Sequence, residues 1–296
     1  MKSLDEVLQV ILIGLIVAGF LLNTCRFLKA IELCRECLFF LDDTAGIIDK
    51  KFNKLFHKRI YFTMWKASCL ISDNINYAEK LLQICRESGE RIEEYRLSQV
   101  LANMYLSRSE YAKAKQLSEK ILRSSKEIRD RSGEANCYVI LGTVYLKTGQ
   151  YEKARDHLQK SIAICKEIGD KNGQVASYGN LGSVYRAVGE NEKARDHLEK
   201  SLAICKEIGD RNGEAAAYEI LGNVHQLAGE YEKAREHLER SLAIQKEIKD
   251  RNGQGSSYVN LGILYQSVGE YEKARDHLEK SLAIQKEIGD RYGESA

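Results

Sequence analysis

The 296-residue chain contains no proline, one tryptophan and three methionines. Without proline, no helix interior is interrupted by a residue that lacks an N–H and clashes with the preceding turn. The absence of proline and near absence of tryptophan argue against a loop-rich enzyme. An excess of one charge is missing too. Lys and Arg number 45 against 43 Asp and Glu, a net charge of +2. Acids and bases alternate and no basic block stands out, so nucleic acid is excluded as a partner class. Only one long apolar run occurs, Val10 to Leu22. What remains is 44% hydrophobic and 30% charged, which fits amphipathic helices with solvated outer faces around a large core.

The chain is built on a repeat. Tyr138, Tyr178, Tyr218 and Tyr258 stand 40 residues apart and open near-copies of one unit, YGNLGSVYRAVGENEKARDHLEKSLAICKEIGD in the copy from Tyr178 to Asp210. A fixed period of this size means stacked repeats. Tyr178, Leu181, Gly182 and Tyr185 lie at i, i+3, i+4 and i+7, one face of a helix. Gly189-Glu190 breaks the pattern, and a second helix carries Ala194, Leu198, Leu202, Cys205 and Ile208 on one stripe. It ends at Gly209, where glycine can take the left-handed conformation that closes a helix. Asp196 and Lys200 stand at i, i+4 on the outer face with the acid first, the favourable order, as do Glu236 and Arg240. Gly142, Gly182, Gly222 and Gly262 share one mid-helix place. Glycine there costs about 1 kcal/mol against alanine, so four copies need a packing reason: close approach of the paired helix, with Ala194 facing Gly182. The predicted fold is all-α, a right-handed solenoid of helix-turn-helix units.

These residues resemble the tetratricopeptide repeat. Y-x2-L-G-x2-Y followed by A-x3-L matches its pattern, with Tyr for the usual Trp and Leu for Phe. The resemblance covers Glu94 to the C-terminus well and the earlier part weakly. The period is 40 rather than about 34, and a Gly-Asp-Arg-Asn-Gly turn replaces the family's proline. Longer units of this kind are similar to those of Pins-type G-protein-signalling modulators and kinesin light chains. The resemblance implies a non-enzymatic scaffold that binds a protein or peptide on a concave face lined by first helices. Carried over by position, that face presents Asn103, Thr143, Lys147, Asn180, Ser183, Arg186, Asn223, Gln226, Asn260 and Gln266. Asn and Gln there can bond a peptide main chain, while Arg186 and Lys147 can meet its acids. The lysines of the family's carboxylate clamp are replaced by Asn136, Ala176, Ala216 and Ser256, which disfavours a chaperone-tail adaptor.

No motif for chemistry emerges. His157, His197, His237 and His277 recur at one position of the second helix. Equivalent helices lie too far apart for these rings to share a metal whose ligands sit about 2 Å away, so they read as packing or surface residues. Cys34-x-x-Cys37 has metal or redox spacing but no second pair and no nearby histidine. Gln245 and Gln285 occupy the place of Cys165 and Cys205, so that place needs no thiol. No cofactor or metal is expected, and scattered helical cysteines suggest a reducing, cytoplasmic compartment.

Seven segments are expected: 1–54, an apolar helix and a divergent repeat; 55–94, a second divergent repeat; then clear repeats at 95–134, 135–174, 175–214, 215–254 and 255–294. Val17-Ala18-x2-Leu21 takes the part of Leu-Gly-x2-Tyr, with Phe27, Ala30, Cys34 and Cys37 on the second helix. Thirteen helical residues from Val10 to Leu22 span about 20 Å, short of a roughly 30 Å hydrocarbon core. Residues 4–22 are therefore expected to be buried. The alternatives are a membrane anchor, with Arg26 and Lys29 holding the repeats in the cytosol, and a signal peptide. Leu41 to Lys54 reads as a link. At the other end the last unit closes at Asp290, Arg291 to Ala296 read as the start of another, and Leu278, Leu282 and Ile288 form an uncapped apolar strip. Self-association through that strip is expected. The functional expectation is an intracellular adaptor in signalling. The alternatives are a regulatory arm of a larger protein with a separate effector domain, and a membrane-tethered scaffold.

Overall fold

The computed structural model of the chain describes residues 4–23, 27–43, 50–68 and 75–293. All regular structure among these residues is helical, in fourteen helices. They fall into two compact units, one up to Ser124 and one from Ser125 onward.

The first unit holds α1 (Leu4–Asn23), α2 (Phe27–Asp43), α3 (Lys50–Ser68), α4 (Ile75–Glu87) and α5 (Arg91–Ser107), and α6 (Tyr111–Ile128) begins in it. Consecutive helices from α1 to α5 pack on one another. Ile11, Leu15 and Ala18 recur at i, i+4 and i+7 of α1, and they bury against Ala30, Cys34, Cys37 and Leu41 of α2 and Ile60 and Met64 of α3. The opposite face of α1 leaves Ile13 and Ile16 exposed. Among the described residues, no helix is long and apolar enough to cross a membrane. The expected link at Leu41–Lys54 is corrected at both ends. Leu41 continues the buried stripe of α2 with no exposure, and Lys50 already opens α3. Residues 44–49 lie outside the described chain.

The second unit repeats one hairpin: α7 (Arg131–Lys147) with α8 (Tyr151–Ile168), α9 (Lys171–Ala187) with α10 (Asn191–Ile208), α11 (Arg211–Leu227) with α12 (Tyr231–Glu247), and α13 (Arg251–Ser267) with α14 (Tyr271–Gly293). Each first helix also packs on the first helix of the next pair. Local signals set these limits. Asp130, Asp170, Asp210 and Asp250 cap the first helices, each carboxylate accepting from the N–H three residues on at 2.9–3.0 Å. Inside each hairpin a left-handed glycine closes the first helix. At Gly189 (φ 78°) the following Glu190 N–H donates to Tyr185 O at 2.9 Å.

The mid-helix glycines are the closest points of each pair. A Cβ on Gly142, Gly182 or Gly222 would stand 2.6 Å from Cγ of Leu158, Leu198 or Leu238, and one on Gly262 2.8 Å from Leu278 Cγ. The side chain facing each glycine is thus the leucine, and the expected alanine partner contributes its carbonyl oxygen, 3.3 Å away at Ala194. Buried serines tie the same pairs. Ser161, Ser201, Ser241 and Ser281 donate to the carbonyls of Ala135, Val175, Ala215 and Gly255 at 2.9–3.1 Å, always 26 residues back. Cys37 makes the same 26-residue contact to Ile11 O at 4.0 Å.

Two expectations about second helices change. Ile208, the last residue of α10, leaves the buried stripe and is 37% exposed. Helix α14 does not close at Asp290 but runs to Gly293. Gly169 and Gly209 turn left-handed where a first helix follows; in α14 the hydrogen-bond ladder simply propagates through Gly289. Leu282 is 65% exposed there, whereas its counterpart Leu242 is buried.

Three turns close without glycine. Ser109 (φ 61°), Arg129 (φ 58°) and Lys249 (φ 58°) hold the left-handed position, and Asp250 N–H still donates to Gln245 O at 2.9 Å. A side chain in this region costs about 1–2 kcal/mol, partly offset in a glycine variant by the freer unfolded chain. Lys249→Gly is therefore expected to raise stability by about 0.5–1 kcal/mol, read as a higher urea midpoint. An unchanged or lower midpoint would show that Lys249 carries no such strain.

Candidate functional site

The ten residues expected to face a partner all lie on first helices. Asn103 stands on α5 of the first unit, exposed, with Nδ2 donating to Gln99 O at 3.2 Å. The other nine lie in the second unit: Thr143 and Lys147 on α7, Asn180, Ser183 and Arg186 on α9, Asn223 and Gln226 on α11, Asn260 and Gln266 on α13. Lys147 and Gln266 are exposed, and the other seven are half-buried. Thr143 and Ser183 turn their hydroxyls back to the carbonyls of Val139 and Gly179, at 2.9 and 3.1 Å.

Cross-helix bonds bring some of these residues together. Asn180 Nδ2 donates to Thr143 Oγ1 at 3.0 Å, Asn260 Nδ2 to Glu219 Oε1 at 2.9 Å, and Gln226 Nε2 to Ser267 Oγ at 3.1 Å. Each joins the first helices of neighbouring pairs. An amide carries two donors and an acceptor with two lone pairs, so Asn180 and Asn260 brace the array and keep capacity for a ligand. Glu219 was not among the expected residues. Burial pushes its carboxyl above its ordinary value and Asp250 adds to this, against the donors Asn260 and Gln245. The signal was available: Val139, Gly179 and Val259 hold the equivalent places, and only this copy has an acid.

The recurring histidines are packing residues. His157 lies between the Tyr138 and Tyr145 rings at 5.7 and 5.1 Å, and His277 between Tyr258 and Tyr265 at 5.9 and 5.1 Å. Nδ1 of His157, His237 and His277 lies 2.8–2.9 Å from the carbonyl oxygen four residues back. A carbonyl only accepts, so Nδ1 carries the proton. His197 differs: its ring stacks on Tyr185 at 5.2 Å and 4°, and its Nδ1 is buried without a partner. Among the described residues, no group of three or more His, Cys, Asp or Glu stands close enough to hold a metal ion. Cys34, Cys85, Cys137, Cys165 and Cys205 are buried free thiols. Burial pushes Cys34 and Cys137 up to about 12 and Cys205 up to about 11, well away from the thiolate that reactive cysteines need.

The tetratricopeptide repeat model matches the sequence in four overlapping stretches, residues 95–167, 133–207, 173–247 and 213–287. No curated protein matches it significantly. Solved structures share the fold. The apo form of RapI is 17% identical with a TM-score of 0.68, covering 95% of this chain and 99% of that one. NprR, crystallised with its cognate peptide NprX, is 19% identical with a TM-score of 0.64, covering 95% of this chain and 82% of that one. A Podosopora anserina protein with nearly identical TPR-like repeats of kinesin-light-chain type is 24% identical with a TM-score of 0.53, covering 66% of this chain and 96% of that one.

The half-buried ring of His197 carries a pH prediction. Burial holds it below its ordinary value of 6.5; Asp196 opposes this and Lys200 adds to it. A depressed native value means that the unfolded chain takes up the proton first as pH falls. The ring's contribution is thus complete above about 6.5 and is lost as pH falls through the native value. His197→Phe keeps the stack and removes the titration. Its unfolding free energy is expected to fall less between about pH 7 and about pH 5 than that of the parent. Parallel slopes in urea titrations at both pH values would contradict this.

Proposed function

Because the chain belongs to the tetratricopeptide repeat family, we propose that it is a non-enzymatic interaction scaffold that binds a peptide segment of a protein partner along the first-helix face of its second unit. The observation that carries this reading is the line of half-buried amides and hydroxyls on α7, α9, α11 and α13, repeated pair after pair. Such groups can bond the main chain of an extended or helical peptide. Lys147 and Arg186 supply cations for its acids. The presence of peptide-bound NprR among the similar folds supports the same reading, and intracellular signalling is the setting we infer. The described cysteines, free and buried, support a reducing, cytoplasmic location.

The test starts from a partner captured by pull-down and identified by mass spectrometry, whose binding segment is then titrated. Asn180→Ala with Arg186→Ala is expected to weaken binding by about tenfold or more. Losing the Asn180–Thr143 bond should lower stability by only about 0.5–1.5 kcal/mol, so circular dichroism should show an intact fold. Unchanged affinity in this variant, with loss of binding on substituting Lys160 or Arg240 on the second helices, would place the site on the other face.

A further inference from the structure

The first unit contains an apolar trough that the proposed binding face does not use. Its floor is Leu81 and Cys85 of α4, and its volume is about 460 Å³. One wall is Leu55, Lys58, Arg59 and Phe62 of α3; the other is Glu93, Arg96, Leu97 and Val100 of α5. Both walls follow i, i+3, i+4 and i+7, so each is one continuous helix face about 10 Å long, at 1.5 Å per residue.

The lining chemistry selects an occupant. Leu55, Phe62 and Val100 are 57%, 45% and 37% exposed and Leu97 is 9% exposed, so large apolar side chains stand at the mouth as well as deeper in the trough. The floor offers no charge, since burial raises the Cys85 thiol above its ordinary value. No set of converging polar groups is present to orient a small polar molecule, as such sites require. Charge sits beside the apolar strips instead. Lys58, Arg59 and Arg96 line the trough with a single acid, Glu93, and Lys58 also bridges to Glu90. The balance is cationic.

We propose that this trough docks an amphipathic helix of a protein partner, which seats large apolar side chains at i, i+4 and i+7 between Phe62 and Val100 and sets flanking Asp or Glu residues against Lys58, Arg59 and Arg96. The geometry matches on both sides. Two helical turns of wall face two turns of anchor, the spacing that helix-in-groove recognition uses. Acids beside the anchors meet the cations and disfavour basic helices. The trough is lined by first-unit residues alone and shares none with the proposed face of the second unit, and neither proposal needs the other.

The test is selection from a displayed library of helical peptides against the whole chain, followed by fluorescence anisotropy with the synthetic winners. The expected winners carry apolar residues at i, i+4 and i+7 with flanking acids. Their affinity should fall about tenfold or more in Val100→Glu and in Phe62→Glu, two half-exposed positions whose variants keep the parent circular dichroism spectrum. Arg96→Glu should weaken binding and flatten its salt dependence. Asn180→Ala with Arg186→Ala should leave it unchanged. The proposal is overturned if the library yields no binder or if the winners lack the acid-flanked pattern. It is equally overturned if they ignore both Val100→Glu and Phe62→Glu, or if a single-chain fatty acid saturates the trough while no helix does.

Discussion

The contact between a mid-helix glycine and a leucine governs the second unit. Leu158, Leu198 and Leu238 press against Gly142, Gly182 and Gly222 so closely that a single Cβ would overlap them. Only at that separation do the other ties of the hairpin reach. The buried serine hydroxyls find carbonyls on the facing helix at 2.9–3.1 Å, and the histidines fit between pairs of aromatic rings. A wider pair would strip those buried hydroxyls of their carbonyl acceptors, at about 1–3 kcal/mol each. Glycine's own helix penalty is smaller than that.

The same economy shapes the first-helix face. Its amides bond between neighbouring pairs, as Asn180 does to Thr143 and Asn260 to Glu219. Each bond fixes the rotamer of a side chain on that face, which under the proposed function lowers the conformational entropy left to be lost on binding. Glu219 breaks the repetition. A half-buried carboxylate with its ionised form disfavoured by burial makes one stretch of an otherwise repetitive face chemically distinct.

Much of this architecture was legible in the residues, for a physical reason. Helix faces, caps and closing glycines are local, and a 40-residue period displays them four times over. The Tyr-Leu-Gly-Tyr face, the left-handed Gly209 and the close approach at the mid-helix glycines followed from spacing, but the leucine that faces each glycine did not. What could not be read was contact across helices or adjustment at their ends. Asn260 and Glu219 are 41 residues apart and bond only because α11 and α13 pack. Lys249 holds a glycine's conformation because the surrounding bonds outweigh its preference. Leu41 looked like part of a link because two acids follow it, yet it is the last buried turn of α2. The trough in the first unit was hidden for the same reason, since its walls belong to helices whose relative placement no repeat pattern records.

A double-mutant cycle between Gly222 and Leu238 tests the glycine–leucine constraint most directly. In the parent background Gly222→Ala should overpack the pair and destabilise it by about 1–3 kcal/mol, despite alanine's better helix propensity. With Leu238→Ala already in place the blocking atoms are gone, and the same change should be neutral or stabilising by up to about 1 kcal/mol. The account predicts a coupling energy of at least about 1 kcal/mol from urea unfolding of the four proteins. Effects that add within about 0.5 kcal/mol would contradict it, because Gly222 would then not be the point at which the helices meet.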